Sequence, residues 1–210
     1  MKPIYLDNNA TTQVAPEVVE EMLPYYTEFY GNPSSMYTFG GNVAMRIKES
    51  RAKVAELIGA APEEIIFTAC GTESDNTALW AALKANPEKR HIITSNVEHP
   101  AVKNPAEYLA HNGYRVTFVP VDNFGHPDMD LLYKHLSDDT AVVSLMWANN
   151  ETGVIFPVEE IAQVVKDRGA VFHTDAVQAV GKIPINMADN AIDMLSISGH
   201  KLHAPKGVGV

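Results

Sequence analysis

Short β-branched runs that alternate with amphipathic stretches of helical length are the feature that most constrains how this chain can fold. The runs are Ile65–Thr68, His91–Ser95, Arg115–Val119, Ala141–Trp147, Ala170–Thr174 and Ile192–Ser196, and Gly207–Val210 reads as the opening of another. Between them lie helical patterns at Glu73–Lys84, Ala101–Asn112, Asp128–Leu136 and Val158–Arg168. A strand that returns parallel to its predecessor needs a crossover of a dozen or more residues, usually a helix. The alternation therefore predicts βαβ units and an α/β fold with an open, mostly parallel sheet. Ahead of the sheet, Pro16–Tyr30 and Asn42–Ile58 read as two helices, with Gly59 closing the second. The loop between them, Gly31-Asn32-Pro33-Ser34-Ser35, carries turn chemistry.

Composition narrows the function classes. With 46% apolar residues in 210, the chain can bury a sizeable core and should be globular. A formal charge of −10 argues against nucleic acid or an anionic membrane as the main partner, since both attract basic surfaces. The single cysteine, Cys70, rules out an internal disulfide framework and fits a reducing compartment. The first residues lack the apolar core of a signal peptide, and no apolar run approaches a membrane span, so a cytoplasmic protein is expected.

In open α/β sheets ligands bind beyond the carboxyl ends of the strands, so the polar residues after each apolar run form a candidate set. These are Cys70-Gly71-Thr72-Glu73-Ser74, Glu98-His99, Asn149-Asn150-Glu151, Asp175 with Gln178, and Ser198-Gly199-His200-Lys201. Gly71-Thr72 at a helix start can offer free N–H groups and a hydroxyl to a phosphate, although Thr72 also reads as a plain N-cap. A lysine at a strand end near a phosphate cradle suits covalent capture of an aldehyde cofactor. Asp175 would keep a pyridine nitrogen protonated. Gln178 and Asn150 would hold a phenolic oxygen, and His99 would lie over the ring and shuttle protons.

Other chemistries fit less well. His173, His200, His203 and Asp175 include metal-ligand types, but no further group with familiar spacing joins them, so no metal is expected. His173 shares a strand face with Asp175 and reads equally as a satisfied buried histidine. Neither G-x-G-x-x-G nor G-x-x-x-x-G-K-[ST] occurs. Cys70 beside a helix start reads better as a small buried residue than as a nucleophile.

Several stretches together resemble the cysteine desulfurases of the nitrogen-fixation type, pyridoxal-phosphate enzymes of the class V aminotransferase group. They are Tyr5-Leu6-Asp7-Asn8-Asn9-Ala10-Thr11-Thr12, Phe67 to Ser74, Glu98-His99-Pro100-Ala101-Val102, Met146 to Gly153, Phe172 to Lys182 and Gly199 to Gly207, with the Gly31 to Ser35 loop. The resemblance implies a three-layer αβα domain with a mostly parallel mixed sheet. It assigns residues 1–15 to an N-terminal arm that belongs with a small domain, and 16–210 to an incomplete large cofactor domain. Pyridoxal 5'-phosphate would be bound by Gly71, Thr72, His99, Asn150, Asp175, Gln178, Ser198, His200 and Lys201, with Lys201 and His99 catalytic.

The implied reaction removes sulfur from L-cysteine, giving L-alanine and an enzyme persulfide for an iron–sulfur scaffold protein, in a homodimer. A selenocysteine lyase, another class V relative, or a non-catalytic fragment that acts by association are the alternatives. About half of the family pattern is covered. The persulfide-forming cysteine, the substrate-binding arginine and the C-terminal small domain are therefore expected outside these residues, and the chain alone is expected not to desulfurate cysteine.

Overall fold

The computed structural model describes residues 4–210; the first three residues of the expected N-terminal arm lie outside them. The helices are α1 (Pro16–Met22), α2 (Pro24–Thr27), α3 (Thr38–Ile58), α4 (Gly71–Ala85), α5 (Pro100–His111), α6 (Met129–His135) and α7 (Val158–Asp167). The strands are β1 (His91–Ser95), β2 (Arg115–Val119), β3 (Thr140–Met146), β4 (Val171–Asp175) and β5 (Met194–Ser196). They form one five-stranded parallel sheet in the order β2-β1-β3-β4-β5.

Both faces of this sheet are covered, which is why its central strands read as continuous apolar runs. Alternate residues divide between two cores. Ile92 and Val142 pack with Leu79, Ala82 and Leu83 of α4 and with Val102 and Leu109 of α5. Ile93, Val143, Leu145 and Phe172 pack with Ala55 and Ile58 of α3, Leu132 of α6 and Ile161, Ala162 and Val165 of α7. The result is the three-layer helix–sheet–helix arrangement that the family resemblance implies, around the mostly parallel sheet that the alternation predicts.

Four expected elements differ from the sequence reading. Pro16–Tyr30 is two short helices rather than one, because Pro24 has no N–H with which to continue α1. The next helix begins at Thr38 rather than Asn42, running through Gly40 and Gly41 despite their low propensity; Gly40 packs against Asn32 and Ser35, where a Cβ has no room. Ile192–Ser196 shrinks to Met194–Ser196, since the Ile192 N–H is taken by the Asn190 side chain. Ile65–Thr68 is extended but pairs only at Thr68, while the Ile65 carbonyl accepts from the Arg51 guanidinium.

Gly209 joins two distant parts of the chain. It bridges antiparallel to both Thr68 and Ser198, and its N–H and C=O bond the Thr68 backbone at 2.9 Å each way. This bridging ties the segment before α4 to the one after β5, outside the five parallel strands. It also fixes the entry to α4 beside the end of β5. A Cβ on Gly209 would lie 2.6 Å from the Cys70 carbonyl oxygen. Gly209→Ala is expected to lower stability by about 1–3 kcal/mol, read from the urea midpoint, whereas Gly113→Ala, facing open space but at φ +87, tests backbone strain alone.

Candidate active site

The strand order reverses direction between β1 and β3, and a cleft opens there beyond the strands' carboxyl ends. Its volume is about 570 Å³, and its lining includes Gly71, Thr72, His99, Asn150, Asp175, Gln178, Ser198, His200 and Lys201. Every site residue expected from the sequence thus meets in one place.

Each side chain is placed by a local device. α4 starts at Gly71 with Cys70 as N-cap and no side-chain capping bond, so its first N–H groups remain available. Thr72 is inside the first turn, not the N-cap. A Cβ on Gly71 would meet Ser198 Cβ at 3.1 Å and Val177 Cγ2 at 3.3 Å, so glycine permits the close packing of α4 on the segment after β5. His99 caps α5: its Nδ1 accepts from the Ala101 N–H at 3.1 Å, which leaves Nε2 free. Asp175 ends β4, and its Oδ1 accepts from the Val177 N–H at 3.0 Å. Ser198 precedes a 3-10 turn, Gly199–Lys201, that carries His200 and Lys201 into the cleft.

The arm before α1 lies across this turn. Lys201 Nζ donates to the carbonyls of Asn9 and Ala10. Gln178 Nε2 donates to Asn9 O at 2.9 Å, Asn9 Nδ2 donates to Asn150 O at 2.7 Å, and His200 Nδ1 bonds Thr11 Oγ1 at 3.0 Å. Asp7, Asn9 and Ala10 accordingly line the cleft.

Electrostatics separate the groups. Burial holds the Lys201 amine below the usual lysine range, with Asp175 and Asp7 opposing. His200 is also lowered, by burial first and then by Lys201, Lys206 and His99. Burial raises Asp175, against the Val177 N–H, His99 and Lys201. Behind it, burial pushes Glu98 up to about 8, although its Oε1 accepts from Ser95 Oγ at 2.6 Å and from the Met146 N–H at 3.0 Å. His173 is fully buried between Ser144 Oγ at 2.8 Å and Ser196 Oγ at 2.9 Å, and burial lowers it to about 3. It is the satisfied core histidine. No group of three or more His, Cys, Asp or Glu among the described residues could hold a metal. Cys70 is exposed at the cleft rather than buried.

Asp75 is a cleft residue that the sequence analysis does not single out. It lies with Gly71, Ser74, Ala78, Leu79 and Ala82 on the buried face of α4, and that spacing was its available signal.

A sequence model of class-V aminotransferases matches residues 4–210. The chain belongs to the aminotransferase class-V family. Among curated class-V relatives it is 60% identical over 209 residues to a cysteine desulfurase of Trichormus azollae, covering all of this chain and 52% of that protein. It is 57% identical over 211 residues to the cysteine desulfurase NifS of Azotobacter vinelandii, again covering 52% of it. A solved NifS-like protein superposes with a TM-score of 0.94 at 44% identity, covering 98% of this chain and 57% of that one. SspA in complex with cysteine follows at TM-score 0.93 and 37% identity, with 98% and 59% covered. The chain spans about half the length of the curated relatives it matches. Among the described residues no helix is long and apolar enough to cross a membrane.

The buried carboxyl of Glu98 gives this class-V domain a pH signature. A group held protonated in the fold at about 8, against an unfolded value near 4.5, stabilises below the lower value and loses that contribution as pH rises through the higher one. Glu98→Gln, which keeps the acceptor for Ser95 and Met146, is expected to gain stability over wild type between about pH 5 and pH 9. Urea unfolding at both ends checks this, and parallel curves for the two proteins would count against it.

Proposed function

We propose that residues 16–210 form the pyridoxal 5'-phosphate domain of a cysteine desulfurase, which takes sulfur from L-cysteine and leaves L-alanine. A single observation carries the reading: a lysine with a lowered pKa, a buried aspartate beside it and an uncapped helix N-terminus line one cleft. The similarity to proteins named cysteine desulfurase, and to a structure in complex with cysteine, supports the substrate.

The residues present fit the cofactor. It carries a phosphate, a pyridine nitrogen, a phenolic oxygen and an aldehyde, and the cleft offers a partner for each. When bound, it supplies an aldehyde that condenses with amines and a ring that withdraws electrons from the substrate's α-carbon. The free amides at the start of α4, with Thr72, Ser198 and His200, hold the phosphate. The Asp175 carboxylate favours a proton on the ring nitrogen. Gln178 and Asn150 hold the phenolic oxygen. His99, whose Nε2 has no partner among the described residues, would cover the ring and move protons.

Lys201 provides the amine, and burial favours the neutral form that can attack an aldehyde. Its Nζ would also take the proton from the substrate's α-carbon. Two homodimer subunits, a cytoplasmic setting and delivery of the sulfur to an iron–sulfur scaffold complete the proposed reading.

Incubation with pyridoxal 5'-phosphate, borohydride reduction and peptide mass mapping test it. A single phosphopyridoxyl group on Lys201, lost in Lys201→Ala, is expected. No label, or a scatter over several lysines, overturns the reading.

A further inference from the structure

Three buried carboxyl groups, on Asp75, Asp175 and Glu98, lie near one another at the carboxyl end of the sheet, Asp175 acting on both of the others and Glu98 on Asp75. Asp75 comes from α4, Asp175 from β4 and Glu98 from the connection between β1 and α5. Asp75 is 1% exposed, and its Oδ1 has no hydrogen-bond partner. That oxygen is 3.6 Å from Nε2 of His173, which stands two residues before Asp175 on the same face of β4. We propose that Asp75 is a positioning residue: with His173 it holds one proton, carried by Asp75, so that Asp175 alone faces the bound cofactor as an anion. This rests on the cofactor reading above.

The surroundings divide the three acids. The charges that act on Asp75 are the carboxyls of Asp175 and Glu98, and only the Ser196 hydroxyl opposes them. Burial and these neighbours push Asp75 up to about 8. Glu98 is likewise held neutral by burial. Asp175 has the Val177 N–H, His99 and Lys201 to favour its charged form. His173 meets a serine hydroxyl at each ring nitrogen, and a hydroxyl can donate or accept, so a neutral ring is satisfied in either tautomer. An ionised Asp75 would add a second buried negative charge beside Asp175, eased only by the Ser196 hydroxyl among the groups that act on it. Environments that push like groups apart in pKa are how paired carboxyls take different roles.

The test uses the cofactor-free chain labelled with carbon-13 at the aspartate carboxyls, which leaves Glu98 silent. One protonated aspartyl carboxyl at pH 7, absent in Asp75→Asn, is expected. No such signal in wild type, or one that persists in Asp75→Asn, overturns the proposal. Nitrogen-15 shifts of His173 in wild type need no variant: a neutral ring at pH 7 is expected, and a charged ring overturns the assignment. In the loaded protein, Asp75→Asn should leave the pH midpoint of the cofactor's visible absorbance in place. A midpoint that falls by about one unit or more means that a charge was removed, and overturns it. Failure of the wild type to bind pyridoxal 5'-phosphate overturns the cofactor reading instead, and is distinguishable because the cofactor-free spectra read the proton alone.

Discussion

The parallel pairing of β4 between β3 and β5 is the constraint on which the cleft depends. Its register sets Met146 against Asp175 and Asp175 against Ser196. The ladder continues past the strands: Trp147 N–H bonds Asp175 O at 2.9 Å and Ala176 N–H bonds Ser196 O at 3.1 Å. Because side chains alternate, a shift of one residue in β4 would turn Asp175 and His173 into the opposite core. Phe172, next to His173 in β4, prevents that, since it is committed to the face shared with α7. A polar site is thus aligned by apolar packing on the other side of the sheet.

Much of this was legible in the sequence. Fully buried strands such as Thr140–Met146 announce themselves as β-branched runs, and α7 by its apolar periodicity. The strand-end rule then located the cleft residues without any contact information, because parallel strands deliver their carboxyl ends to one edge. What stayed hidden was set by tertiary contacts. Thr68 pairs with Gly209, and Gly40 is helical because of what it packs against, neither of which a local window contains. Asp75 was passed over for a related reason. An acid near a helix start has a sufficient local explanation in the helix dipole, and only the burial of its face contradicts it.

Residues far apart along the chain meet at this site. The Thr12 hydroxyl donates to the carbonyl of His200, 188 positions away, and Gly209 closes against Thr68. Contacts of such separation reward the chain only after its loops have closed, so they form slowly compared with the βα units between them. The central sheet and its helices can assemble from near neighbours, but the cleft cannot. The cleft is therefore expected to form after the sheet, and a partly folded chain would present the sheet without a place for the ligand.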